Sequence, residues 1–348
     1  MKVSAIPLAL AACLVAVTPA FSDTLVGSWN VKHLGWDNDK DITAVARIAS
    51  AFDLVALQEV MSMDGLQALE TELEHLTGED WQSMASDEIG RGSYRERYAF
   101  LWQTDEVTWL DGAVVFIDDR DAFSREPFSM RFETADAYRF VLASAHLIWG
   151  DSQDEREVEA AALASYRRWL DESFPETPVY IAGDFNLAPD NAAWQGLGEI
   201  ASPLVTDGAT TLSPVDGRFA NLYDNIWVPA GTPLPVAASG ILDFPSELGL
   251  THETARTYVT DHAPVWMLLD PGSDWIERPP HVSAGAYSDD KARELTGAAD
   301  APIRGNRTSS IYHLESCPGY DQMADRNIVA FETEADAIAS GYRMARNC

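Results

Sequence analysis

Basic residues are scarce in this 348-residue chain: Lys and Arg number 24 against 55 Asp and Glu, a formal net charge of −31, and arginine far outnumbers lysine. Such a surface favours solubility and repels polyanions at long range, which counts against passive nucleic-acid binding driven by counterion release. It does not count against a hydrolase, because bound cations and a few local arginines act within a Debye length of about 8 Å. Cysteine is rarer still, with only Cys13, Cys317 and Cys348. No internal repeat is present, and past the N-terminus no apolar run is long enough to cross a bilayer. The 46% of hydrophobic residues is nonetheless enough to bury a full core and argues against disorder throughout.

The apolar run at 6–17 follows Lys2 and leads through Pro19 and Ala20 to Ser22, ending in small residues like a signal-peptidase site. Residues 1–22 are therefore read as a signal peptide, with a mature chain starting near Asp23 and a secreted or periplasmic location. Leu10, Ala11, Ala12 and Cys13 resemble a lipobox, but the apolar residues 14–17 continue past the cysteine and favour ordinary cleavage. The mature protein is expected to be soluble, monomeric and without stable membrane insertion.

From 24 to 270 the pattern mixes runs rich in β-branched and aromatic residues with amphipathic stretches. Strands are predicted at 25–31, 54–60, 98–103, 114–117, 140–147, 179–183, 223–228 and 265–269, and helices at 42–52, 63–76 and 154–174. In the last helix Val158, Ala162, Tyr166 and Trp169 recur at helical spacing and are read as core. The expected architecture is α/β (α+β): a four-layer sandwich of two packed mixed β-sheets flanked by helices. Residues 271–303 lack periodicity and read as a linker, followed by a small α+β unit at 304–348.

Polar residues fall at the ends of predicted strands or just after them: Asn30, Glu59, His146, Asp184 with Asn186, and Asp224 with Asp261 and His262. Singly each has an ordinary explanation, as a turn residue, a solvated strand end, an Asx turn or a satisfied core histidine. Together they carry a desolvation cost that a metal, a partner or water must offset. Phosphodiester hydrolysis needs this mixture, with oxygen ligands for a hard cation, a group that activates water, and donors for the charge growing on phosphoryl oxygens.

The segments SWNVKHLG (28–35), LQEV (57–60), GDFN (183–186), YDNIW (223–227) and TDHAPV (260–265) resemble, in order and spacing, the signatures of the endonuclease/exonuclease/phosphatase superfamily. Within it, IGRGSYRERYAFLW (89–102) and FSREPF (123–128) are similar to the DNA-contacting loop and following segment of deoxyribonuclease I. The resemblance covers nearly all of 24–270 and implies a catalytic domain spanning 23–270 that cleaves DNA with Mg²⁺, Mn²⁺ or Ca²⁺, leaving 5′-phosphate ends. It implies that Glu59 binds the cation with Asn30 and Asp261 nearby, and that Asp184 orients or deprotonates the attacking water while Asn186 holds the phosphate. His262 paired with Asp224, and His146 paired with Glu96, would donate to the phosphoryl and leaving oxygens. Arg91, Tyr94 and Arg125 are the implied DNA contacts. Lys32 and Met61 stand where the family usually offers arginines toward the DNA backbone.

The tail, IYHLESC to GYRMARNC, resembles the small metal-binding domain of the Ada DNA-repair protein. His313 and Cys317 match the first ligand pair of that pattern, but Ala345 replaces one member of the second and leaves Cys348. Three ligands fall short of a closed zinc site, so a Cys317–Cys348 disulfide is favoured over zinc. Auxiliary DNA contact, envelope anchoring and stabilisation all stay open for this unit. Two other functions remain beside the nuclease: a phosphodiesterase or phosphatase acting on lipid headgroups or inositol phosphates, and a binding or toxin-type module that has lost catalysis. SYRERY and FSREP favour nucleic acid, and retention of the polar sites argues against an inactive scaffold.

Overall fold

Strands whose successive side chains are all apolar must bury both faces, and here that requirement builds the architecture. A computed structural model describes residues 23–36, 38–231, 235–270, 280–282 and, with short interruptions, 302–348. The predicted signal peptide lies outside the described residues, as does most of the predicted linker.

In chain order the elements are β1 (Thr24–Leu34), α1 (Ile42–Ala49), β2 (Leu54–Val60), α2 (Met63–Thr77), β3 (Trp81–Ala85), β4 (Arg97–Gln103), β5 (Val107–Val115), β6 (Phe128–Thr134) and β7 (Arg139–His146). There follow α3 (Gln153–Ser173), β8 (Val179–Asp184), α4 (Gln195–Gly198), β9 (Ala201–Pro203), β10 (Asp224–Pro229), β11 (Val236–Ile241), α5 (Phe244–Leu248), α6 (His252–Tyr258) and β12 (Val265–Leu269). One six-stranded sheet runs β11-β12-β1-β2-β4-β3 and the other β5-β6-β7-β8-β10-β9. Each contains one parallel pair, β1 with β2 and β7 with β8, among antiparallel neighbours.

Alternation along the central strands sorts side chains between layers. In β2, Leu54 and Ala56 enter the core between the sheets, whereas Val55 and Leu57 pack outward with α1 and α2 residues. In β8, Tyr180 and Ala182 face the same inter-sheet core, and Val179 and Ile181 meet α3. The three apolar clusters thus define four layers, as expected. Aromatic packing fills the middle, with Phe132 edge-on to Phe100 and Trp102 at centroid distances of 5.5 and 5.7 Å. Helix starts are fixed locally: Asp41, Ser62 and Ser152 each accept a backbone N–H of the first turn, and Gly78 closes α2 in the left-handed region.

Several sequence expectations shift. The strand predicted at 114–117 is the end of a longer β5, and β3, β6 and β11 were not anticipated because their outward faces are polar or small. Val158, read as core, is 63% exposed. The neighbouring Glu159 takes the inward position instead, accepting the backbone N–H groups of Ser124 and Ile148 at 2.6 Å each. Within the span read as linker, Val282 is fully buried in the α1/α2-side core.

The C-terminal strands β13 (Ile303–Asn306), β14 (Ile311–Leu314), β15 (Ile328–Phe331) and β16 (Arg343–Met344) form a sheet in the order β15-β13-β14-β16. Ile303, Tyr312, Phe331 and Ala337 supply its small core. Cys317 and Cys348 are joined by a disulfide.

Two predictions follow from this packing. Titration of the unreduced protein should find no thiol at Cys317 or Cys348; two free thiols would refute the bridge. At Gly183, φ is +152° and an added Cβ would lie 1.8 Å from the Ala145 carbonyl oxygen, so β7 and β8 approach closely only because the residue is glycine. Gly183→Ala is expected to destabilise by at least about 3 kcal/mol through strand separation and backbone strain, read as a lowered midpoint in denaturant unfolding.

Candidate active site

Sheet register gathers the polar residues. His146 at the end of β7 pairs with Asp184 at the end of β8, and Asp184 pairs with Asp224 at the start of β10. Directly paired residues project to the same face, so three strands deliver an imidazole and two carboxylates to one level. From the other sheet, β1 contributes Asn30 and β2 contributes Glu59, both at register shifts that interrupt the ladder. Of the eight described non-glycine residues with positive φ, Lys32, His33, Glu59 and Asn186 are four. The strained backbone is concentrated where these side chains converge.

The central group is the Asp184 carboxylate, which is almost wholly buried. Its Oδ1 accepts the Asn186 backbone N–H at 3.0 Å and its Oδ2 the Asn30 Nδ2 at 3.0 Å. The Nε2 atoms of His146 and His262 stand 3.6 and 3.7 Å from Oδ2, too far for good hydrogen bonds. Each imidazole is backed on Nδ1 by another carboxylate, His146 by Glu96 at 2.8 Å and His262 by Asp224 at 2.9 Å. The site is therefore an alternating row: Glu96, His146, Asp184, His262, Asp224.

These contacts set the charges. Burial alone would lower the His262 pKa, but Asp224 and then Asp184 outweigh it and push the imidazole up to about 10. His146 is also raised, with burial and Arg125 opposing and Glu96 prevailing. Asp184 is held below the usual carboxylate range because His262 and His146 overcome the cost of burial. Asp224 is raised, chiefly by burial and by the neighbouring Asp184. The resting site thus holds an ionised Asp184 between donors that favour the cationic form.

Glu59 offers the clearest place for a cation. Its Oε1 accepts the Asn30 Nδ2 at 3.0 Å, while Oε2 is buried and makes no hydrogen bond of good geometry, although the His33 Nε2 stands 3.1 Å away. A carboxylate held at the cleft in this way fits a hard cation, which takes oxygen ligands. Asp184, Asp224 and His262 also lie close enough to share an ion, their ligand atoms within 4.8 Å of one another. In that second group the Asp224 oxygen already pairs with His262, whereas Glu59 stands apart from the imidazole row.

The other predicted site residues distribute differently. Asn30 bridges Glu59 and Asp184 through its Nδ2, while its Oδ1 accepts the Lys32 N–H at 2.9 Å. Asp261 engages the Lys32 Nζ at 2.9 Å, and Arg256 lies 3.6 Å off. Lys32 is therefore paired with Asp261 while remaining part-exposed. The buried guanidinium of Arg125 donates to the carbonyls of His146 and Leu147 at 3.1 and 3.0 Å, which pins the end of β7 at the cleft wall. Asn186 donates its side-chain N–H to the Leu147 carbonyl at 2.9 Å. Arg91 remains exposed, paired with Asp121. Tyr94 lines the cleft together with Glu59, Arg125, His146, Asp184, Asn186 and His262.

Sequence reasoning missed the supports of this row. The Tyr98 hydroxyl accepts the His146 N–H at 3.0 Å, the Trp29 indole donates to the His262 carbonyl at 2.8 Å, and Thr260 donates to the Asn30 carbonyl at 2.8 Å. Their apolar or small character inside strand runs gave no polar signal. His33 was visible in SWNVKHLG but had no partner until β2 was placed beside it; its ring stacks on Trp36 at 4.2 Å.

The profile of the Endonuclease/Exonuclease/phosphatase family matches residues 27–262. A protein named deoxyribonuclease from Thioalkalivibrio sp. (strain K90mix) is 45% identical over 273 residues, covering 75% of this chain and 76% of the relative. Human deoxyribonuclease-1 is 26% identical over 292 residues, covering 77% and 99%. Among solved structures, a family protein from Bacteroides thetaiotaomicron superposes with a TM-score of 0.52 at 15% identity, covering 72% of this chain and 98% of that one. That likeness concerns the fold.

The raised His262 pKa yields a direct test. The stabilisation from the Asp224–His262 pair should be fully present below the ordinary histidine value of about 6.5 and lost as pH rises through about 10. In chelator-treated protein, NMR of the imidazole nitrogens should show His262 protonated at pH 8; a midpoint near 6.5 would contradict the arrangement.

Proposed function

The chain belongs to the endonuclease/exonuclease/phosphatase family, and from that premise we propose that it is a divalent-metal-dependent endonuclease hydrolysing DNA phosphodiester bonds to 5′-phosphate ends. The observation that carries this reading is the convergence of two carboxylate-backed imidazoles on one ionised carboxylate, beside the half-enclosed carboxylate of Glu59. Relatives named as deoxyribonucleases supply the substrate class.

Glu59 would hold the cation, which when bound supplies Lewis-acid polarisation of a phosphoryl oxygen. Asp184, ionised and fixed by Asn30 and Asn186, is placed to orient a water and accept its proton. At 3.6 and 3.7 Å from Asp184 the two Nε2 atoms are not committed to it by good hydrogen bonds, so each can donate to a phosphoryl oxygen instead. His262 and His146, whose cationic forms Asp224 and Glu96 favour, would donate to the phosphoryl and departing oxygens. Arg125 and Tyr98 maintain the position of His146. Magnesium is the proposed ion, with manganese or calcium as substitutes, and the protein is proposed to act as a secreted or periplasmic monomer, a domain of residues 23–270 with a small C-terminal appendage.

Purified protein should nick supercoiled DNA with Mg²⁺ or Mn²⁺ and lose all turnover in chelator. Faster hydrolysis of a choline lipid or an inositol phosphate than of DNA would displace the nuclease reading. His262→Ala is expected to lower turnover by at least about 10³-fold while leaving the circular dichroism spectrum unchanged; near-normal cleavage by the folded variant would remove His262 from the chemistry.

A further inference from the structure

One wall of the cleft is unused by the chemistry above. Trp149 follows His146 by three residues and lines the same cleft as Glu59, Tyr94, Asp184 and His262, yet it is 56% exposed. An indole in water contributes little to folding, and this one is held in place. The Arg156 guanidinium lies over its ring, 4.4 Å from the centroid, and the same arginine donates to the Asn186 carbonyl at 3.1 Å. The Tyr223 ring stands 5.9 Å from the indole at an angle of 59°. Beside this group is a second cavity of about 410 Å³, lined by Arg156, Asn186, Asn191, Asn221 and Tyr223 among others. Asn186 belongs to both cavities, so the second begins where the first ends.

Three features define what would fill it. The cavity meets the active-site cleft at Asn186, within reach of a nucleotide next to the cleaved phosphate. Beside apolar side chains it presents the Tyr223 ring, the Arg156 guanidinium, the amides of Gln153, Asn191 and Asn221, and the Asp190 carboxylate, which suit a flat heterocycle with polar edges better than a phosphate chain. The chain as a whole carries a formal charge of −31, so affinity for a polyanion gains little from counterion release. Stacking on an exposed ring is tolerant of salt and sequence and changes affinity by roughly 5- to 100-fold per base.

We propose that Trp149, braced by Arg156 and flanked by Tyr223, forms a nucleobase subsite that receives the base next to the cleaved phosphodiester after it swings out of its stack. This rests on the nuclease reading and adds to it a preference: unpaired or frayed DNA binds better than intact duplex, and binding persists at high salt.

The test compares a 20-nucleotide single strand, its duplex and an abasic polymer of equal length, with Mg²⁺ in 0.5 M NaCl. Wild-type protein should show a lower KM for the single strand than for the duplex. Trp149→Ala should raise the single-strand KM by about tenfold or more with kcat within about twofold, and Trp149→Phe should restore most of the affinity. On the abasic polymer the wild type should lose the same factor, and Trp149→Ala should lose nothing further. An unchanged single-strand KM in Trp149→Ala, an equal loss on both polymers, or tighter binding of duplex overturns the subsite. Wild-type protein that cleaves none of the three overturns the nuclease reading itself, which distinguishes the two failures.

Discussion

The Asp184 carboxylate is the constraint on which the rest depends. A charge buried to this degree costs several kcal/mol unless its surroundings compensate, and the surroundings are built to do so. The Asn186 N–H and the Asn30 amide meet its two oxygens, and His146 and His262 flank it. Neither imidazole would stay cationic while buried without its own carboxylate, so Glu96 and Asp224 are consequences of the same requirement. Every ionisable group in the row accounts for the state of its neighbour.

Holding such a row demands rigidity from both sheets. Asn30 hydrogen-bonds to Glu59 in its own sheet and to Asp184 in the other, tying the two at the site. Deeper in, the buried Gln58 donates to Ser144 across the sheets at 2.9 Å. Arg125 fixes the last carbonyls of β7, and Glu159 on α3 collects the N–H groups of Ser124 and Ile148 on either side of it. Buried charge that lies outside the chemistry is therefore committed to aiming the chain ends that carry it. Trp149 sits just beyond those fixed ends, so its position relative to the reactive centre is set by the same bonds.

How much of this could be read in advance depended on the kind of signal. Apolar runs such as 54–60 and 179–183 announced strands because both faces are buried, and GDFN or TDHAPV marked their functional ends. Strands with polar or small outward faces, such as β3 and β11, gave no comparable run. Val158 misled because hydrophobic spacing on α3 was read without knowing that Glu159 is needed inside. Charge was the hardest to place: Lys32 and Arg125 read as cations facing DNA, and only the fold shows that each also engages a partner distant in sequence, Asp261 and the carbonyls of His146 and Leu147.

The residues by themselves settled the inventory of the chemistry, since carboxylates, amides and imidazoles at strand ends need compensation wherever they come to lie. They also settled the family, through ordered segments too specific to be turns alone. Only the tertiary structure decided which acid backs which histidine, that Asn30 bridges the sheets, that Glu59 meets His33 at the cleft, and that Trp149 stands beside them. The reason is physical: strand identity follows from local pattern, but contacts between residues 38 to 233 positions apart, such as His262 with Asp224 or with Trp29, are fixed by sheet register and layer packing.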